Sequence, residues 1–387
     1  MAALDRCYNI HDLRTAAKKK LPKGVFDFLD RGTEEEVALA DNRAAFNRIK
    51  LKTCFMVDLT ERDMGTTLFG KRMALPFGIG PTGIAGLCWH QGELALAKAA
   101  AKIGIPFTLA TSSFTPIETI AREAGGRLWY QLYMWDEVDL SYQMIAKARD
   151  LDFEALVVTI DSALGRVREH NERNGFAFPF KPNARAITDM ALHPSWLVSV
   201  LLKSMLQTGM PKNANYPPKY QRMIAWGDAP KPKRHAAMTW KDVEKLRQFW
   251  PGKLIIKSIL GAKDARLAVE HGADAVVVSN HGGRAMDSAV PSIEALPEVV
   301  AEVGGKTTIL LDSGIRRGSD IVKALALGAN ACLIGRATLY GIATGGQAGA
   351  EKAINILGGE YEKTMGFLGC RHVGELSREI FARPMVI

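Results

Sequence analysis

The segment Ser279-Asn280-His281-Gly282-Gly283-Arg284 sets an imidazole three positions before a guanidinium, with two glycines between them. An imidazole accepts a proton near neutral pH. A guanidinium grips a carboxylate through two parallel hydrogen bonds. Together they suit removal of a proton from the carbon or hydroxyl next to a carboxylate. Arg168 offers a second arm for that grip, and Asp161 a carboxylate that would orient the imidazole and stabilise its charged form. The other seven of the eight histidines fall in helical patterns or connecting loops and read as surface or structural. A strand-end histidine taken alone is as often structural as catalytic, so the case for His281 rests on its neighbours.

A second group of residues suits an anionic ligand. Glycines at 314 and 335 let backbone N–H groups approach a phosphate, and Arg316 and Arg336 add charge-assisted bonds; the bland alternative is a glycine-rich turn with solvated arginines. Lys257 lies within an apolar run and needs an anionic partner, from a bound group or a salt bridge, because burying it unpaired is costly.

These side chains need a frame that gathers them. Eight short apolar runs read as strands: Phe77-Pro81, Phe107-Thr111, Leu128-Tyr133, Ala155-Ile160, Leu254-Ile259, Ala275-Ser279, Ile309-Asp312 and Ala331-Gly335. Most are continuously apolar, as parallel strands buried on both faces are. Helical patterns separate most of them, over Glu93-Ile103, Ile117-Glu123, Val138-Arg149, Ala262-His271, Ile293-Val303 and Ser319-Leu327, with Gly104, Gly272 and Gly328 placed as C-terminal caps. The alternation predicts an α/β fold, a (β/α)8 TIM barrel, with an open doubly wound sheet as runner-up because periodicity does not establish closure. The chain reads as a single domain, 1–387. It comprises an N-terminal helical extension over 1–75, a barrel over 76–387, and a long insertion after strand 4 over 175–240. Thr82, Gly83, Gln131, Tyr133, Thr159, Asp161, Arg168, Lys257, Ser279, His281, Arg284, Asp312, Arg316 and Arg336 all lie in or just beyond strand C-termini, so a barrel would converge them on one mouth.

Composition is that of a globular protein: 387 residues, 47% hydrophobic and 24% charged. The five cysteines form no CxxC pair, so neither a disulfide framework nor a metal site is indicated, and a cytoplasmic compartment is expected. The net charge of +9 has no nucleic-acid-binding motif beside it. No nucleic-acid partner is expected; anionic small molecules or an anionic membrane surface remain. Within the insertion, Trp196 to Leu206 is the most apolar segment outside the barrel. Ser199, Lys203 and Gln207 would form a narrow polar stripe on a helix too short to span a bilayer. Lys181, Arg185, Lys212, Lys219, Arg222, Lys231, Lys233 and Arg234 surround it. Either it lies on an anionic membrane or it packs on its own barrel or a neighbouring subunit.

Ser279 to Arg284, together with Leu311-Asp312-Ser313-Gly314-Ile315-Arg316-Arg317-Gly318 and Gly335-Arg336, resembles the FMN-dependent 2-hydroxy acid dehydrogenase/oxidase family, nearest in character to its mandelate and bacterial L-lactate dehydrogenases. The likeness runs from Leu21-Pro22-Lys23 to the last helices. It implies FMN as cofactor and oxidation of an (S)-2-hydroxy acid, with electrons passed to a quinone or other respiratory acceptor. An oxidase that makes peroxide from O2 is the alternative, and a non-catalytic flavin-binding barrel a remote one. By this resemblance His281 is the base and Asp161 its partner, Arg168 and Arg284 bind the substrate carboxylate, and Tyr133 bonds the substrate hydroxyl. Lys257 stabilises the reduced ring. Pro81, Thr82 and Gly83 lie near flavin N5, while Gln131, Thr159 and Ser279 contact the ring. Asp312 meets the ribityl chain, and Gly314, Arg316, Gly335 and Arg336 the phosphate. A homotetramer is implied too, as is peripheral attachment to the cytoplasmic face of the inner membrane through 175–240. Two positions depart from the family pattern. Phe28 stands where a tyrosine usually bonds the substrate carboxylate, a loss of about 1.5–3 kcal/mol that favours a larger or aromatic acid gripped by apolar contacts. Ala110 replaces a serine, with Thr111 or Ser112 as substitutes. Gly83, where oxidases often carry alanine, favours a dehydrogenase.

Overall fold

In the computed structural model, which describes residues 2–176, 183–221 and 233–383, all eight apolar runs are strands. They are β1 (Phe77–Ile79), β2 (Phe107–Ala110), β3 (Leu128–Leu132), β4 (Ala155–Thr159), β5 (Lys253–Ile259), β6 (Ala275–Val278), β7 (Thr308–Leu311) and β8 (Ala331–Ile334). Each pairs in parallel with its neighbours, and β8 returns to β1 in the register Cys332 to Phe77, Leu333 to Gly78 and Ile334 to Ile79. That last pairing closes the sheet and rules out the open one. The helices fall where periodicity places them, among them Gly92–Ile103, Val138–Asp150, Ala262–Glu270 and Gly318–Ala326. Gly104, Gly272 and Gly328 take the positive φ that a helix end demands.

Successive side chains on a strand face opposite ways, and here the alternation separates two cores. One set, including Tyr130, Leu156, Val158, Ile256, Val276, Ile309 and Cys332, packs against the helices. The other, Trp129, Ala155, Val157, Ile255, Ala275, Val277, Leu310, Ala331 and Leu333, fills the barrel. The hairpin Thr66–Leu68 and Lys71–Met73 closes the lower end with Leu68 and Met73. Two residues further along the inward set come Gln131, Thr159, Lys257, Ser279, Asp312 and Gly335. The same parity that buries apolar side chains below thus delivers a polar layer at the upper mouth.

The N-terminal extension is helical only through Val37–Arg48; the stretch to residue 75 is irregular apart from the hairpin. Its helix Lys23–Asp30 ends over the mouth. The carbonyls that a helix C-terminus leaves unpaired are met here by arginines. Arg284 donates to the Phe28, Leu29 and Arg31 carbonyls, and Arg336 to those of Leu29, Arg31 and Gly282.

The described part of the insertion contains helix Ala184–Ala191 and a continuous helical segment, Pro194–Gln207, whose middle turn is π-helical. Trp196, Val200 and Ser204 face inward: the Trp196 indole donates to the Leu87 carbonyl at 2.7 Å, and Ser204 pairs with His90 at 2.9 Å. Val198, Leu202, Met205 and Leu206 face outward and are exposed, with Ile187, Leu192 and Met210 also exposed in this region. Lys181, Arg222 and Lys231 lie outside the described residues. No helix among the described residues is long and apolar enough to cross a membrane.

Buried Glu93 ties the first two upper loops together. It accepts hydrogen bonds from the backbone N–H groups of Gly86 and Phe114 and from the Thr115 hydroxyl. Replacing it by leucine would strand all three donors. With about 1–3 kcal/mol per buried unsatisfied group, Glu93→Leu is expected to lose at least about 3 kcal/mol in chemical denaturation, whereas Glu93→Gln keeps the acceptor and loses less.

Candidate active site

The residues around His281 hold an unusual backbone. His281, Gly282 and Gly283 have φ of 59°, 68° and 70°, three left-handed residues in succession. A side chain on Gly282 would meet an Arg336 nitrogen at 2.6 Å, and one on Gly283 the Leu39 backbone nitrogen at 2.5 Å. The two glycines let the loop turn tightly under the N-terminal helices. The His281 and Gly282 N–H groups donate to the hydroxyls of Ser279 and Ser313.

The imidazole is held from both ends. Its Nδ1 lies 3.0 Å from each oxygen of Asp161, and Asp161 also accepts from the Ser258 hydroxyl at 2.7 Å. A carboxylate only accepts, so Nδ1 carries the hydrogen and Nε2 keeps its lone pair. Nε2 points toward the Tyr133 hydroxyl, 3.4 Å away, and an Arg166 nitrogen stands at the same distance. Burial, then the cation of Arg166, hold the imidazole well below its ordinary pKa of 6.5 against the pull of Asp161. Burial alone would raise Asp161, but His281, Lys257 and Arg166 outweigh it and keep the carboxyl below its usual range. The result is a neutral, oriented base.

Arg168 and Arg284 meet at Phe28, their guanidinium carbons 5.6 and 5.3 Å from its ring centre. Burial and neighbouring arginines hold Arg168 down to about 9 and Arg284 well below its ordinary value. Guanidinium groups stay protonated in proteins, so this strain is what an incoming carboxylate would relieve. One Arg168 nitrogen, Nε, is buried with no partner.

Beneath them Lys257 is buried, donating to Ser279 at 2.6 Å and ion-paired with Asp312 at 2.8 Å. The Gln131 amide donates to Thr159 at 3.1 Å. Around these groups opens a cavity of about 1050 Å³, lined by Pro81, Thr82, Gly83, Gln131, Lys257, Asp312, Gly314 and Gly335 as well as Phe28, Tyr133 and His281. Thr159, Ser279 and Asp161 do not line it; they brace Gln131, Lys257 and His281 from behind. Ser112 lines it and Thr111 does not, its hydroxyl being spent on the Gln131 carbonyl. At the far end Gly335 caps the helix beginning at Arg336, and Arg316 lines the wall. Each nitrogen of the Arg336 guanidinium donates to a carbonyl, of Leu29, Gly282 or Arg31, and at this end the residue also offers its backbone N–H.

Residues 17–383 match the model of the family described as FMN-dependent dehydrogenase. The chain belongs to the FMN-dependent dehydrogenase family. It is 40% identical to the (S)-mandelate dehydrogenase of Pseudomonas putida over 371 residues, covering 96% of this chain and 92% of that one. It is 37% identical to an L-lactate oxidase of a Nostoc strain, covering 97% and 98%. A crystal structure described as that of the monotopic membrane protein (S)-mandelate dehydrogenase superimposes with a TM-score of 0.89 at 38% identity, covering 98% of this chain and all of that one.

The family's FMN suits this cavity. The long opening carries a phosphate-sized end of glycine backbone, a helix N-terminus and Arg316. Its middle holds a buried lysine and a glutamine. Gly83 packs closely on the next loop: a Cβ there would stand 2.7 Å from the Ser112 hydroxyl, which would have to turn aside. Arg166 and Ser258 were not among the residues singled out in sequence, and Arg234 was read only as one of the basic residues around the insertion. Arg166 stood only two places from Arg168 in the same polar segment after β4, and Ser258 directly after Lys257.

Because His281 stays neutral as pH falls through 6.5, anaerobic reduction of the enzyme's flavin by substrate is expected to hold its rate there and decline only at lower pH. Stopped-flow absorbance over a pH series reads this directly. Asp161→Asn should cut the rate by about 100-fold or more, as loss of an orienting carboxylate does in other imidazole bases; an unchanged rate would show that Asp161 does not serve His281.

Proposed function

We propose that this FMN-dependent enzyme of the 2-hydroxy acid dehydrogenase/oxidase group oxidises an (S)-2-hydroxy acid to the 2-oxo acid, with His281 as the base. The observation that carries this is the placing of His281 Nε2 beside the Tyr133 hydroxyl, its Nδ1 fixed by Asp161, next to two arginines lacking a carboxylate partner among the described residues. Arg168 and Arg284 bind the substrate carboxylate. Tyr133 orients the hydroxyl, and Nε2 accepts the proton that leaves. Asp161 then balances the positive imidazole, while Ser258 keeps the carboxylate aimed. FMN, when bound, supplies the two-electron acceptor. Pro81, Thr82, Gly83, Gln131 and Lys257 would hold its ring, with Thr159 and Ser279 behind them. Asp312 would hold its chain, and Gly314, Arg316, Gly335 and the Arg336 N–H its phosphate.

Gly83 supports a dehydrogenase that passes electrons to a quinone or other respiratory acceptor; the 37% identity to an L-lactate oxidase supports a second reading, reaction with O2. The test is anaerobic titration with (S)-mandelate, L-lactate and longer 2-hydroxy acids, followed by admission of air. Bleaching of the flavin with 2-oxo acid formation is expected, and slow reoxidation marks the dehydrogenase. No bleaching by any 2-hydroxy acid would defeat the assignment. Phe28→Tyr, restoring a donor at the carboxylate, should lower KM for L-lactate by about tenfold.

The exposed side chains of Val198, Leu202, Met205 and Leu206 support attachment of the insertion to the cytoplasmic face of a membrane. The monotopic description of the similar mandelate dehydrogenase points the same way. The protein is expected to sediment with membranes at low and high salt, and a Leu202→Glu, Leu206→Glu double variant to remain in the supernatant. Sedimentation of the wild type with the soluble fraction would refute attachment. A homotetramer, the assembly implied by family resemblance, is checked by light scattering of the same preparation.

A further inference from the structure

Four guanidinium groups line the substrate end of the cavity, and they fall into two pairs. Arg168 and Arg284 flank Phe28 on one wall. On the other, Arg166 reaches within 3.4 Å of His281 Nε2, and Arg234 stacks 4.2 Å above the ring of Tyr133, whose hydroxyl faces the same nitrogen. Among the described residues, Asp161 is the one carboxylate within ion-pairing distance of any of the four. It stands 3.4 Å from Arg166 and is already engaged by His281 and Ser258. Glu169 and Glu172 line the cavity but stand beyond ion-pairing reach. Arg234 donates to the Tyr216 hydroxyl, while its Nη1 is buried without a partner.

The carboxylate of a 2-hydroxy acid answers one pair of arginines. The other pair is surplus to that reaction: both are half-buried, and the one carboxylate within reach, Asp161, is shared with His281 and Ser258, which leaves the pair short of compensating charge. Arg166 lies across the imidazole, 3.4 Å from Nε2 and 3.3 Å from Nδ1, so an anion that drew it away would also take a cation off the base. A second anionic group on the substrate would do both.

Resting on the assignment of 2-hydroxy acid oxidation, we propose that Arg166 and Arg234 form a second carboxylate subsite and that the enzyme prefers (S)-2-hydroxy dicarboxylic acids. The distal carboxylate engages Arg166 beside Tyr133 and draws its charge away from the imidazole. Arg166 is thereby a specificity-determining residue, and Arg234 supports it from the far face of Tyr133.

The test compares flavin reduction in the anaerobic holoenzyme by L-malate and (S)-2-hydroxyglutarate with reduction by the chain-matched monoacids (S)-2-hydroxybutyrate and (S)-2-hydroxyvalerate. The diacids are expected to be favoured by about tenfold or more in rate over Kd, the worth of one added charge-assisted contact. Arg166→Gln and Arg234→Gln should bring that ratio toward one, and Arg166→Lys, which keeps the charge, should retain part of it. A second readout needs no turnover: 2-oxoglutarate binding, followed by the flavin difference spectrum, should weaken by about tenfold in Arg166→Gln while flavin content is unchanged. Monoacids equal to or better than diacids, or a ratio unmoved by Arg166→Gln, would overturn the second subsite and leave the 2-hydroxy acid assignment standing. Failure of all four acids, together with L-lactate and (S)-mandelate, to reduce the flavin would overturn both.

Discussion

The structure depends on one constraint, the two-residue alternation of strands closed into a ring. A closed parallel barrel has a single interior, and each strand supplies it with every second side chain. Over the lower part those positions are Trp129, Val157, Ile255, Val277, Leu310 and Leu333, and they make a dry plug. One step higher the same positions become Gln131, Thr159, Lys257, Ser279, Asp312 and Gly335. Hydrogen bonds and an ion pair link members of this ring: Gln131 to Thr159, Lys257 to Ser279, and Lys257 to Asp312. Shifting any one strand by a single residue would turn its polar group outward into the helix layer.

The electrostatics of the mouth follow from what is stacked on that ring. Asp161 serves His281, Ser258 and Arg166 at once, and the surrounding charges are largely positive. The site thus presents a positive field to an anionic ligand. Its arginines lie close beside each other, and an anionic ligand would offset their mutual repulsion. The helix Lys23–Asp30 takes part through its carbonyl end, which absorbs one edge of Arg284 and most of Arg336, the Gly282 carbonyl taking the rest, and so limits the repulsion.

Much of this was legible in the chain itself. Continuous apolar runs gave strands whose ends agree within two residues, since nothing competes with burial for such segments. Closure was not legible, because the pairing of β8 with β1 joins segments about 250 residues apart and leaves no local pattern. His281, Arg284, Arg168 and Asp161 do converge as their strand-end positions required. What spacing could not convey was direction. Arg336 lies beside a glycine at a phosphate-type turn, yet its side chain runs back to the Leu29, Arg31 and Gly282 carbonyls. Arg166 resembles any solvated arginine in a polar loop, and only three-dimensional folding brings it onto His281. The insertion was read as either membrane-facing or barrel-packed; its helix packs one face inward and exposes the other, because Trp196, Val200 and Ser204 recur at one helical turn and the exposed leucines lie on the other side.

The arginine clamp on helix Lys23–Asp30 bears on what counts as the heritable unit of this enzyme. Phe28 and the carbonyls that aim Arg284 come from the extension, whereas the base and the polar ring come from the barrel. A barrel transplanted or recombined without its first fifty residues would keep its polar ring but lose Phe28 and the carbonyls that hold Arg284. Changes of substrate in such a lineage can therefore arise in a segment that contributes no strand to the barrel at all.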